Sequence, residues 1–305
     1  MRSAINGDTV SATELLPLPS AFIASFKVIQ MFEEIVFKNN YVQVYNEIIG
    51  EGVPIICIHG FHLDCRVMKG CLEPVFNALE GYRRIYFDLA GMGRTAAPPG
   101  LSSSDDIFEI VCAFINKILP GEEEFILIGE SYGGFLARAV INKMRKRVRG
   151  VFLLAPVILP RPSDRTLPEH VVFERETGFI EKLDFFDRTV FESNAVIQTY
   201  GVWRLFKQQV IEAMNLANIA VLDAIWNNSY PLSFDVDSFE EPFEGASFAL
   251  CGKNDSIAGY KDALKLFNNF ASLSYAALDR CGHYLQIERP EIFAACVIDW
   301  LKRIK

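Results

Sequence analysis

The stretch Ile126-Leu-Ile-Gly-Glu-Ser-Tyr-Gly-Gly134 sets one serine between glycines directly after an apolar run. A serine hydroxyl is a weak nucleophile unless it is held beside a base. Gly129-Glu130-Ser131-Tyr132-Gly133 is the G-x-S-x-G pattern, in which a strand turns sharply into a helix and the serine takes a strained backbone that only small flanking residues tolerate. The surroundings suit that geometry. Glu124-Phe-Ile-Leu-Ile128 reads as a buried strand, and Phe135 to Met144 as the helix after it. Ser131 is therefore the candidate nucleophile, and the neighbouring Glu130 is expected to turn away from it.

A base and an orienting acid fall near the C-terminus. Asp255 lies just past the apolar Ala246-Ser-Phe-Ala-Leu250, and His283 just past Leu273-Ser-Tyr-Ala-Ala-Leu278. In an open parallel sheet the C-terminal strand ends share one edge, so Ser131, Asp255 and His283 could converge despite their separation in the chain. His283 would take the serine proton and return it to the leaving group, while Asp255 would hold the imidazole in its reactive tautomer. The rivals are few. Of the four histidines, His59 and His62 belong to a His-Gly turn and His170 to a later segment; Asp164 is the competing acid. Asp88 is expected to support the turn Gly91-Met92-Gly93, since Asp side chains commonly bond backbone amides there.

Two further motifs accompany these residues: Ile55-Ile-Cys-Ile-His59-Gly60-Phe61, and Asp88-Leu-Ala-Gly-Met-Gly-Arg94-Thr95. With the chain order serine, aspartate, histidine, the sequence resembles an α/β-hydrolase-fold serine hydrolase over about residues 32 to 303. The resemblance implies an α/β fold with a mostly parallel central sheet flanked by helices, and a helical cap inserted after the sixth core strand. Ala90, where many relatives carry proline, loosens one turn and touches nothing catalytic. Donors for the developing oxyanion are expected from backbone amides, Phe61 N–H after His59-Gly60 and Tyr132 N–H at the helix start. Losing one such donor typically costs about 3 kcal/mol.

The elements that must position these groups follow a legible rhythm. Glu34-Ile-Val-Phe-Lys and Tyr41 to Ile48 alternate apolar and polar residues around Asn39-Asn40, as in a hairpin with one solvated face. Pro54 to Ile58, Arg84 to Phe87, Phe125 to Ile128 and Gly150 to Leu154 are continuous apolar runs, which predict parallel strands buried on both faces with helical crossovers. From about residue 157 to 241 the rhythm stops. Prolines break the chain at its start, and helix-like stretches follow around Phe179 to Phe191, Val202 to Met214 and Asn215 to Asn227. We expect residues 31–156 and 242–305 to form the hydrolase core and residues 157–241 the cap. Residues 1–30 would be an N-terminal extension. Cap aromatics such as Trp203 and Phe206 are the expected determinants of acyl length, although cap aromatics in general, Trp226 among them, are more often core packing than ligand contacts.

Composition excludes other classes. Half of the 305 residues are hydrophobic, enough for a core without disulfides or metals. A formal net charge of −8 and a pI near 5.2 argue against non-specific nucleic-acid binding. The basic run Lys143 to Arg149 is expected to be the solvated end of a helix. Seven cysteines, an odd number with no zinc spacing, point to free thiols in a reducing compartment, and the expected location is cytoplasmic. Cys281 could line the site. No stretch approaches the ~20 apolar residues of a membrane span.

The chemistry these residues suggest needs no cofactor and no metal: hydrolysis of a small-molecule ester through an acyl-enzyme. A thioesterase, an amidase and a C–C bond hydrolase are the alternatives within the class, and a ligand-binding receptor on the same fold is the alternative outside it.

Overall fold

The computed structural model describes residues 28–304. Eight strands form one sheet: β1 (Val28–Phe37), β2 (Asn40–Ile49), β3 (Val53–Ile58), β4 (Tyr82–Phe87), β5 (Phe125–Glu130), β6 (Val148–Leu154), β7 (Ala246–Gly252) and β8 (Leu273–Leu278). Their order is β1-β2-β4-β3-β5-β6-β7-β8. β2 pairs antiparallel with β1 and β4, and every later pairing is parallel. The predicted hairpin is present. Its turn falls at Lys38-Asn39, one residue earlier than expected, with Lys38 at φ 52° and Phe37 opposite Asn40. β1 begins at Val28, so the last three residues assigned to the extension are sheet. Residues 1–27 lie outside the described residues.

The central strands show why their sequences do not alternate. On β3, Ile55 and Cys57 pack into one cluster while Ile56 and Ile58 pack into the other; on β5, Ile126 and Ile128 oppose Phe125 and Leu127 in the same way. Successive side chains face opposite sides of a strand, so a sheet covered on both faces must be apolar at every position. Helices α2 (Ser104–Ile118) and α3 (Tyr132–Met144) cover one face. α1 (Cys65–Phe76) and the C-terminal helix Pro290–Leu301 cover the other.

Between β6 and β7 the sheet rhythm gives way to helices at Phe185–Asn194, Tyr200–Phe206 and Ile219–Asn228, capped by Asp184, Thr199 and Asn218. Each capping side chain accepts an amide of the first turn, which otherwise has no partner. The second helix runs through a π-helical turn, Lys207–Ile211, into Glu212–Met214. The first and third helices thus start six and four residues later than expected, while the second run starts two residues earlier and ends at Met214 as expected.

The basic run is only partly solvated. Arg147 is buried and donates to Leu119 O, Asn116 Oδ1 and Glu123 O, tying the end of α3 to that of α2. No helix among the described residues is long and apolar enough to cross a membrane. The seven cysteines are all free, and Cys281 is buried with its thiol 3.4 Å from Leu278 O, outside the lining of the candidate site.

Candidate functional site

Ser131 occupies the turn between β5 and α3 with φ 54° and ψ −115°, the left-handed region that a side chain enters at a cost of about 1–3 kcal/mol. The surrounding backbone holds it there. Its N–H donates to Leu154 O at the last residue of β6, and its carbonyl accepts from Val157 N–H just past that strand. Glycine is required beside it for space: a Cβ on Gly133 would stand 2.0 Å from Ile58 O, and one on Gly129 2.4 Å from Gly133 O. These contacts are with backbone and cannot be relieved by a rotamer.

Asp255 and His283 come from the loops after β7 and β8. His283 Nδ1 is 2.8 Å from Asp255 Oδ2, and Asp255 Oδ1 accepts the Ile257 and Ala258 amides at 2.8 and 2.9 Å. Both side chains are buried. Burial would raise the Asp255 carboxyl, but the His283 charge, the hydrogen bond to it and the two amides outweigh that and hold it below the usual range. For His283 burial acts downward, and the Asp255 charge and hydrogen bond, with a smaller push from Glu130, carry it above its ordinary value. Asp164, the rival acid, is exposed, and its carboxyl accepts from Ser163 Oγ alone among the described residues.

Glu130 departs from expectation. It is fully buried, and its Oε1 lies 3.7 Å from His283 Nε2. The residue ends β5, where alternation of side chains sends it to the face opposite Gly129 and beneath the loop that starts at Gly60.

Ser131 and His283 open onto one cavity of about 300 Å³, walled by Phe61, Arg165, Trp226 and Tyr230 among others. Larger clefts exist, about 520 Å³ beside Tyr82 and about 550 Å³ beside Phe135, but neither contains a nucleophile with a base. Phe61 follows the turn that His59 secures: His59 Nε2 accepts from Leu89 N–H, so its proton is on Nδ1 and is donated to Gly60 O. This histidine is buried, and burial lowers it further, so it is a neutral brace and not a base. Asp88 likewise accepts from Cys65 and Arg94 N–H, a structural role. The Phe61 and Tyr132 amides, expected to face an oxyanion, are not spent on any acceptor among the described residues.

The aromatics sort differently from expectation. Trp203 and Phe206 pack with Phe191 inside the hydrophobic core at 5.2 and 5.3 Å, away from the cavity. Trp226 lines the cavity together with Tyr230, their rings 4.6 Å apart, and Met214 joins them. Tyr230, Met214 and Arg165 were not legible as site residues. The spacing of Trp226 and Tyr230, four apart at the end of a helix-like stretch, was the available signal.

Comparison with known proteins identifies the family. The chain is 23% identical over 269 residues to a monoacylglycerol lipase of Bos taurus, covering 84% of this chain and 77% of that protein. It is 23% identical over 257 residues to a 2-hydroxy-6-oxo-6-(2'-aminophenyl)hexa-2,4-dienoic acid hydrolase of Metapseudomonas resinovorans, covering 83% and 86% respectively. The solved structure of an alpha/beta superfamily hydrolase from Oenococcus oeni superposes with a TM-score of 0.79 at 30% identity, over 89% of this chain and 99% of that one. An esterase from Exiguobacterium antarcticum shares the fold, with a TM-score of 0.67 at 18% identity over 90% and 100% of the two chains. The sequence model of one family matches residues 55–296, from the strand before the His-Gly turn to the C-terminal helix. Its span takes in Ser131, Asp255 and His283, and the chain belongs to the alpha/beta hydrolase family.

Proposed function

We propose that this chain is a cofactor-independent serine hydrolase that cleaves small or medium esters through an acyl-enzyme. Ser131 is the nucleophile, His283 the base and Asp255 the orienting acid. The observation that carries this reading is the buried Asp255–His283 pair opening onto the same cavity as the strained Ser131. With Nδ1 protonated toward Asp255, Nε2 has a lone pair for the Ser131 proton. As Oγ attacks the substrate carbonyl, the charge gathering on its oxygen is met by the Phe61 and Tyr132 amides. The imidazolium then returns its proton to the departing alcohol, and water repeats the sequence to free the acid. Residues 157–241 act as the cap, contributing Trp226 and Tyr230 to the acyl pocket. The free thiols suit a reducing compartment such as the cytoplasm.

The test is labelling by a fluorophosphonate, followed by a panel of p-nitrophenyl esters of graded chain length. Ser131→Ala should lose both labelling and turnover while keeping its circular dichroism. Ester hydrolysis by that variant near the wild-type rate would remove Ser131 from the mechanism, since losing a triad nucleophile costs several orders of magnitude.

One observation favours a second reading, the C–C bond hydrolase. Arg165 lines the cavity with no carboxylate partner among the described residues, its guanidinium held by Leu159, Pro160 and Ile257 carbonyls. Such a cation suits an anionic substrate of the kind named for the Metapseudomonas relative. Turnover of a carboxylated vinylogous diketone exceeding that of every neutral ester would favour it.

A further inference from the structure

Glu130 is a buried carboxyl for which the triad has no use. Its Oε1 stands 3.7 Å from His283 Nε2, the nitrogen opposite the one Asp255 holds, and neither of its oxygens completes a hydrogen bond. Room for it is made deliberately, since a Cβ on Gly60 would come within 2.5 Å of Oε2. An unpaired buried carboxylate is costly, so an ionisable group kept at this spot is either protonated or compensated by a charge nearby.

The groups around it narrow the choice. Cys71 on α1 and the hydroxyls of Tyr230 and Tyr284 also feel Glu130, but burial pushes all three well up, leaving them neutral. Asp255 adds negative charge, and Arg165, which also lines the cavity, acts on His283 in the opposite sense. His283 is thus the one group beside Glu130 that gains a positive charge during the reaction.

We propose that Glu130 is a positioning residue for the base, acting by charge on the Nε2 side of His283 while Asp255 holds Nδ1, so that the imidazolium has two acidic neighbours. The proposal rests on the triad reading given above. In the resting state Nε2 keeps the lone pair that Ser131 needs, and the Glu130 carboxyl stands 3.7 Å from it, close enough to act by charge. In the attack step the Ser131 O–H bond breaks, its proton forms the Nε2–H bond, and the Oγ–carbonyl bond forms; Glu130 stays a carboxylate and stabilises the imidazolium without taking the proton. Burial, opposed by the His283 charge and the nearby Gly60 amide, pushes the Glu130 carboxyl up to about 7.

The test compares Ser131→Ala with Ser131→Ala/Glu130→Gln, both carrying ¹³C-labelled histidine, by NMR titration. No turnover is needed. The His283 midpoint should fall by about one pH unit in the double variant, while His59, His62 and His170 keep theirs. In active protein, Glu130→Gln should move the acid limb of kcat/KM down by about the same amount and lower its plateau about tenfold, with Glu130→Asp restoring part of the shift. Coincident His283 midpoints overturn the proposal. If Glu130→Gln does not fold, Ser131→Ala/Glu130→Asp takes its place: a His283 midpoint equal to that of Ser131→Ala overturns the proposal, and a lowered midpoint sustains it. Coupling seen by NMR in a protein inactive on every ester would keep the pair and discard the esterase reading.

Discussion

His283 Nδ1 and Asp255 Oδ2 meet at 2.8 Å although 28 positions separate the residues and each sits on a loop after a different strand. The contact exists because β7 and β8 run parallel and side by side, which carries both loops to one sheet edge. Asp255 is itself fixed by two backbone amides through its other oxygen, so only one oxygen is left to face the imidazole.

Asp255→Asn should therefore lower kcat by ~10⁴, because an amide favours the wrong imidazole tautomer. Asp164→Asn should stay within a few-fold of wild type. Steady-state kinetics on one ester checks both, and the opposite ranking would move the acid to Asp164.

Substrate preference should follow the cavity and not the cap as a whole. Trp226→Ala or Tyr230→Ala removes wall from a space of about 300 Å³ and should shift the optimum toward longer acyl chains. Trp203→Ala is a core truncation and should cost ~3–5 kcal/mol of stability with the chain-length optimum unchanged. A panel of esters and urea denaturation separate the outcomes; a preference altered only by Trp203→Ala would contradict this assignment.

Gly133→Ala should damage folding rather than chemistry alone. Its Cβ would meet Ile58 O and His59 O, both backbone, at 2.0 and 2.7 Å. Overpacking of this kind typically costs ~1–3 kcal/mol or more, and a urea midpoint equal to wild type would mean the elbow is looser than described.

Stability should depend on pH through Glu130. A carboxyl raised in the folded state contributes stability that is fully present below its unfolded value of ~4.5 and is lost as pH rises through the folded value of about 7. Relative to Glu130→Gln, wild type should lose up to ~3 kcal/mol between pH 4.5 and 8. Urea titrations of the two proteins at pH 5 and pH 8 check the sign. A difference that shrinks or reverses toward high pH would show the carboxyl to be satisfied as an anion.

The candidate residues Ser131, His283 and Asp255 and the parallel sheet were legible in the chain because each has a local signature. G-x-S-x-G needs its glycines for backbone clearance, and strands covered on both faces must be apolar at every position. The fold class followed from that rhythm, and the break after β6 marked the insertion. Tertiary structure decided what depends on direction and distance. Glu130 lies toward His283 because of the facing of the last β5 residue, which the pattern does not report. Trp203 and Phe206 are core while Trp226 and Tyr230 are wall, a distinction set by how the inserted helices dock and not by aromatic content. Arg165 and Met214 enter the cavity from segments with no pattern of their own, so only the folded chain assigns them a place beside Ser131.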